Sequence, residues 1–193
     1  MRFLSSIRLI PVRLKAQYKK KQFLQNATCG QNLSVSSAAG CDSFDRQSIV
    51  IGDGCEIGAY LSAKCGARIS IGNRTTIRSG LIGAAVSIVI GNDVIISNNV
   101  HIYDNNNHPT DPEQRLEMTQ SGSFYGPLWA WGKSSRAPVV IEDNVWIGER
   151  STILKGVTIG RGSIIGCDSV VTKSIPPYSV ACGNPAKVVK CLK

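Results

Sequence analysis

One branched aliphatic residue every sixth position limits what this chain can fold into more than any other feature. In IEDNVW-IGERST-ILKGVT-IGRGSI-IGCDSV-VTKSIP the lead residues Ile141, Ile147, Ile153, Ile159, Ile165 and Val171 keep that beat without a break, and Gly follows at 148, 160 and 166. An earlier block repeats it at Ile90, Ile96 and Ile102, and fainter copies begin at Ile51 and Ile71. A period of six fits neither the helical repeat of about 3.6 residues nor the two-residue alternation of a half-buried strand. It fits short strands joined by tight turns, each strand sending one aliphatic into a shared interior. Gly or Asn beside it accepts the positive φ of the turn. Such coils stack at ~4.8 Å, each covering the apolar interior of the next. The expected fold class is all-β, a parallel β-helix.

The remaining composition supports a folded globular chain. Of the 193 residues, 42% are hydrophobic and mean hydropathy is +0.00, which suits one domain with a short extension. No apolar run approaches the ~18 residues of a membrane-spanning helix. The formal charge of +9 is lopsided, because Arg2, Arg8, Arg13, Lys15, Lys19, Lys20 and Lys21 all precede the first acid, Asp42. Arg8 and Arg13 interrupt any secretory core. Residues 1–28 read as a basic helical extension, one or two short helices around Pro11. That extension suits two roles, covering the end of the repeat domain or touching anionic lipid. The repeat domain then spans 29–193, with a loop extruded at 109–138 and a closing segment at 175–193. Seven cysteines with no C-x-x-C pair read as reduced, buried thiols of a cytoplasmic protein. The excess charge sits in one arm with little aromatic interleaving, so nucleic acid is not an expected partner.

Tandem [LIV]-G-x-x-x-x units closed by VTKSIPPYSVACGNPAKVV resemble the hexapeptide-repeat acyltransferases. The resemblance covers about residues 48 to 190. It implies a left-handed parallel β-helix, an exception to right-handed crossover, and a homotrimer. The sugar O-acetyltransferase branch, which includes maltose, galactoside, nodulation-factor and capsule-modifying enzymes, is closer still. Its HPxDPxxR-like signature stands here as His108-Pro109-Thr110-Asp111-Pro112-Glu113-Gln114-Arg115, and its NVWIG…GVTIG pattern begins at Asn144.

What the resemblance implies about the site can be set beside the residues. His108 falls where the beat after Ile102 would place an aliphatic, just before the long irregular segment. The family makes it the catalytic base, and a neutral imidazole suits removal of a proton from an attacking hydroxyl. Asp104 or a backbone carbonyl could hold its second ring nitrogen, or Asp104 could meet the substrate. His101, ending a hexapeptide, reads as a surface or groove-lining residue. Only two histidines exist, too few for the three-histidine zinc site of related carbonic anhydrases, and no metal is expected. Tyr125, Trp129 and Trp131, with Phe124, give the loop aromatic faces, either for stacking on a sugar acceptor or for packing against a neighbouring subunit.

For the donor, the resemblance implies acetyl-CoA lying along the solenoid in a cleft between two chains. Gly148, Gly166 and Cys167 match positions along the pantetheine arm, and Trp146 matches a tryptophan beside the donor channel, with plain interface packing as its alternative. Thr172, Lys173, Lys187 and Lys190 match positions near the phosphates and adenine, where cations suit the charge of CoA. No residue next to His108 suits a covalent acyl intermediate, so direct transfer is expected. The first 41 residues hold no acid, unlike the acidic N-terminal segment of maltose- and galactoside-type enzymes. A cell-surface polysaccharide or its precursor therefore fits better as acceptor. Amine-bearing nucleotide sugars, serine and antibiotics are alternative acceptors, and a non-catalytic β-helix is the reading from a different class.

Overall fold

The computed structural model describes residues 12–124 and 126–193. Its three parallel sheets form the faces of a three-sided β-helix of the left-handed class. The first face stacks Thr28–Cys29, Ile49–Ile51, Arg68–Ile71, Ser87–Ile90, Val139–Ile141 and Thr158–Ile159. The second runs from Ser34–Val35 through Ile95–Ile96, Trp146–Ile147 and Ile164–Ile165 to Ser179–Gly183, where Ala186–Cys191 adds an antiparallel closing strand. The third runs from Gly40–Ser43 through Tyr60–Ala63, Gly80–Ala84 and Val100–Tyr103 to Val170–Val171.

The beat residues do what their spacing requires. Ile90, Ile96, Ile102, Ile141, Ile147, Ile153, Ile159, Ile165 and Val171 are all buried in one continuous core. The residue before each points outward, as Ile95, His101 and Trp146 do. The outward reading of His101 is therefore the one observed. At the edge between the first and second faces, Asn32, Gly54, Arg74, Asp93, Asn144, Gly162 and Tyr178 share φ values between +54° and +67°. A left-handed residue is what lets so few residues turn the chain through a corner.

That same edge carries a polar ladder. The side-chain oxygen of Asp53 accepts from the Gln31 N–H, that of Asn73 from Asp53, that of Asn92 from Asn73 and that of Asp143 from Asn92. The residue preceding each lower donor is Gly30, Gly52, Gly72 or Gly91. A Cβ on Gly91 would stand 2.4 Å from Asp143 Oδ1 and 2.7 Å from the Asp143 nitrogen. The Gly of the repeat is thus a steric requirement of coil stacking.

The N-terminal end is covered. Helix α1 (Val12–Asn26) buries Phe23 completely in the core of the first coils, while Lys20 and Lys21 stay exposed. Residues 1–11, including Pro11, lie outside the described residues, so the expectation of a second short helix there falls outside them too. No described helix is long and apolar enough to cross a membrane. All seven cysteines are free, but the expectation that they are buried holds fully for Cys55 alone. Cys65, Cys167, Cys182 and Cys191 are exposed, because they stand on turns or on the closing hairpin. Burial pushes the Cys41 thiol up to about 12, as expected of an inert thiol.

Gly91→Ala is expected to cost about 1–3 kcal/mol by forcing neighbouring coils apart. Gly66, at φ +75° with open space around its missing Cβ, should cost only the turn strain of about 1–2 kcal/mol when changed to Ala. Urea unfolding midpoints read the difference; equal losses would mean that turn conformation, not close approach, sets the need for glycine.

Candidate active site

After Tyr103 the chain leaves the solenoid at the edge between the third and first faces, and Val139 re-enters it. Ile90 pairs directly with Ile141, so Ile141 occupies the core position that the six-residue beat assigned to residue 108. His108 therefore stands outside the solenoid, a correction to its reading as the last beat. The expected extrusion at 109–138 begins five residues earlier, because its neck is built from Asp104 to Asn107 on one side and Ser135 to Ala137 on the other. Ala137 N–H donates to the Asp104 carbonyl at 2.8 Å, Asn106 N–H to that of Ser135 at 3.0 Å, and Asn105 bridges Arg136.

Asp104 anchors this neck. It is fully buried, and its two carboxylate oxygens accept from the Ala85 and Val86 N–H groups at 2.7 Å each. Asn105 Nδ2 adds a third bond at 3.1 Å. The expected substrate or imidazole contact is thereby overturned: these oxygens hold the preceding coil and present no surface to a ligand. Next to it, Asn105 Oδ1 accepts from the Asn107 N–H, and Asn107 turns the chain at φ +61°. Asn tolerates that conformation better than most residues, which accounts for the run Asn105-Asn106-Asn107 before His108.

The segment after His108 is not irregular. Asp111 caps helix α2 (Pro112–Gln120), accepting from the Gln114 N–H at 2.9 Å with Pro112 at the start of the helix. Arg115 reaches back to the carbonyls of Pro109 at 3.0 Å and Thr110 at 2.6 Å. The signature residues Asp111 and Arg115 therefore fix the backbone that follows His108. Two single turns of 3-10 helix, Pro127–Trp129 and Trp131–Lys133, carry the tryptophans back.

These elements enclose a cavity of about 710 Å³ whose side-chain walls are Lys64, Cys65, His108, Phe124, Trp129 and Trp131. Trp129 meets the His108 ring edge to face, with centroids 5.4 Å apart, and lies 4.7 Å from Phe124. Trp131 packs edge to face on Tyr103 at 5.9 Å. Trp129 and Trp131 thus line one space with the imidazole. Tyr125 lies outside the described residues. Lys64 and Cys65, which the sequence did not single out, come from a turn two coils earlier on the same edge; their only sequence signal is their place in the stack. Lys64 is held by an ion pair with Asp42.

The donor candidates separate into two groups. Trp146, Gly148, Gly166 and Cys167 follow one another up the second face and its edge with the third. Trp146 is 48% exposed and its Nε1–H donates to Ser97 Oγ at 3.3 Å. Lys187 pairs across the closing hairpin with Cys182, and Lys190 with Val180. Cys182 also packs over Gly166, 2.8 Å from where a Cβ there would stand. A Cβ on Gly148 would meet the Cys167 nitrogen at 2.5 Å, so coil stacking accounts for both glycines without a ligand. Thr172 and Lys173 turn the edge between the third and first faces instead, the edge from which the His108 segment leaves. Within one chain, His108 and the Gly148 edge are not brought together. No cluster of three metal-ligating side chains occurs among the described residues.

Comparison with known proteins agrees with this architecture. The family described as bacterial transferase hexapeptide (six repeats) matches residues 138–173. A Schizosaccharomyces pombe protein provisionally named an acetyltransferase is 43% identical over 53% of this chain and 42% of its own length. A similarly named Saccharomyces cerevisiae protein is 41% identical over 65% of this chain and 57% of its own. The chain thus spans about half the length of these curated relatives. Among solved structures, the polySia-specific acetyltransferase NeuO is similar with TM-score 0.60 at 25% identity, over 85% of this chain and 81% of that one. The N-acyltransferase AntD of Bacillus cereus, solved with dTDP and coenzyme A, shares the fold with TM-score 0.64 at 21% identity, over 92% and 88%.

Asp104→Ala leaves the buried Ala85 N–H and the part-buried Val86 N–H without acceptors, at about 1–3 kcal/mol for the buried one and less for the other. The expected result is a lower melting temperature with hydrogen exchange accelerated most within 104–138; uniform acceleration along the chain would deny Asp104 its role at the neck.

Proposed function

We propose that this hexapeptide-repeat chain transfers an acetyl group from acetyl-CoA to a sugar hydroxyl, with His108 as general base. The observation that carries the reading is the cavity in which the imidazole shares walls with Phe124, Trp129 and Trp131. Flat aromatic faces beside a proton acceptor suit a sugar ring presenting a hydroxyl. The edge-to-face contact with Trp129 restricts rotation of the imidazole beside the cavity.

The chemistry asks little else of the chain. His108 takes the hydroxyl proton as the oxygen attacks the thioester carbonyl, the carbon–sulfur bond breaks, and the imidazolium returns the proton to the departing thiolate. Acetyl-CoA supplies the activated acyl group. Lys187 and Lys190 are exposed, pair with no acid among the described residues, and stand at the end of the Gly148–Gly166 edge, which suits the phosphates of CoA. Because His108 and that edge lie apart in one chain, the reading includes a homotrimer in which one chain's histidine faces the donor groove of the next. A polysaccharide or its precursor remains the favoured acceptor, and the likeness to a polySia-specific enzyme supports it. Contact of the basic N-terminus with anionic lipid, and a cytoplasmic location, are further parts of the proposal.

Two measurements test it. Millimolar acetyl-CoA should raise the melting temperature of the wild type and of His108→Ala alike, and less in Lys187→Ala. Thiol release with a sugar acceptor should fall at least ~100-fold in His108→Ala. An unchanged melting temperature in the intact trimer would sink the donor site, and faster release with amine than hydroxyl acceptors would move the reading to an N-acyltransferase.

A further inference from the structure

The polar groups around the His108 cavity are one-sided. Its lining side chains include an ammonium at Lys64, the indole of Trp131, a thiol at Cys65 and the imidazole, with no carboxylate or carboxamide among them. Four of the wall's backbone carbonyls are already engaged by its own tight turns. Gly126 accepts from Trp129 N–H at 2.9 Å, Pro127 from Ala130 at 3.3 Å, Ala130 from Lys133 at 2.9 Å and Trp131 from Ser134 at 3.1 Å. The Trp129 Nε1–H is buried from solvent, with no acceptor among the described residues. From Met118 to Ile141 the chain contains no Asp or Glu but does contain Lys133 and Arg136. Arg136 Nη1 and Cys65 Sγ stand 3.3 and 3.4 Å from where a Cβ on Gly132 would be, so this guanidinium flanks the cavity wall. It pairs with no acid among the described residues. Asp42 is not a lining residue; it fixes the Lys64 ammonium by ion pairing.

A neutral sugar hydroxyl donates as well as accepts, so a site for several of them needs acceptors beside donors. Here His108 accepts from the one hydroxyl that reacts, and the other lining side chains donate, stack or, at the Cys65 sulfur, accept only weakly. Resting on the sugar-acetyltransferase reading above, we infer that the acceptor is an anionic sugar. Its carboxylate or phosphate sits beside the reacting hydroxyl and is bound by Lys64, in a field strengthened by Arg136. An anion accepts at every oxygen and matches a donor-rich wall. The donor-rich wall is also why neutral acceptors are disfavoured: their remaining hydroxyl protons are desolvated without strong partners.

The test is thiol release from acetyl-CoA with three acceptors: a uronate-containing oligosaccharide, the same oligosaccharide with its carboxyl reduced to the alcohol, and a sugar phosphate. Lys64→Met and Lys64→Arg are compared with the wild type. The expected result is kcat/KM about 10- to 100-fold higher for an anionic acceptor than for the reduced one. That preference should vanish in Lys64→Met, return in Lys64→Arg and weaken with salt, while the KM for acetyl-CoA stays unchanged. Preference for the uronate or for the phosphate identifies which anion is bound. Equal or better turnover of the reduced sugar, or a preference that survives Lys64→Met, overturns the inference while leaving acetyl transfer to sugars standing. Turnover of none of the three, with acetyl-CoA still bound, overturns both, a result distinct from loss of preference alone.

Discussion

One hydrogen bond, repeated coil after coil, sets the geometry on which everything else rests. At the edge between the first and second faces, from Gln31 up to Asp143, a side-chain oxygen of one coil accepts the turn N–H of the coil before it. This bond forms only if the preceding residue has no side chain in the way. At Gly52-Asp53, Gly72-Asn73 and Gly91-Asn92 the glycine after the aliphatic and the Asp or Asn after it are therefore two halves of one device. The aliphatic fills the interior, the glycine lets the coils approach, and the acid or amide closes the polar groups that the corner would leave open. Because all three lie within three consecutive residues, the device can be copied by repeating a short segment, and the sheets follow from it.

A scaffold of this kind tolerates a large interruption. The third face ends one coil at Tyr103 and the first face begins the next at Val139, and the core registers straight across the gap through Ile90 and Ile141. Asp104 belongs to both parts: its side chain ties the preceding coil while its carbonyl closes the neck. The excursion is thus held at a rigid base, and its order comes from its own cap, turns and aromatic contacts. His108, Phe124, Trp129 and Trp131 are placed around the cavity by the loop, and the loop is placed by the neck.

Most of the solenoid was legible in the sequence because each coil is local: the aliphatic, the glycine and the turn residue stand side by side along the chain. His108 was legible through its neighbours as well, since Pro109, Asp111 and Arg115 are the residues that build the turn and cap around it. What the sequence hid depends on stacking between coils. Lys64 stands 44 positions before His108, and only the pitch of the helix brings it to the same cavity. Asp104 looked like a free polar residue near a histidine, yet it is spent on backbone groups of residues 85 and 86. Helix α2 was missed because its short polar sequence PEQRLEMTQ buries only Met118, too little for an amphipathic pattern to show. Gly148 and Gly166 match donor positions in the sequence, and only stacking shows that the adjoining coil also requires them to lack a Cβ.

The neck of the excursion has an evolutionary meaning. Since the coils on either side pair as though nothing intervened, the inserted segment can lengthen, shorten or change composition without disturbing a single core residue. The repetitive part can then stay constant while the exchangeable segment diversifies, much as a tool holder accepts different bits. Descent with a constant barrel and shuffled inserts is what such a junction permits, and sequence divergence among proteins built this way should concentrate between its two closing strands.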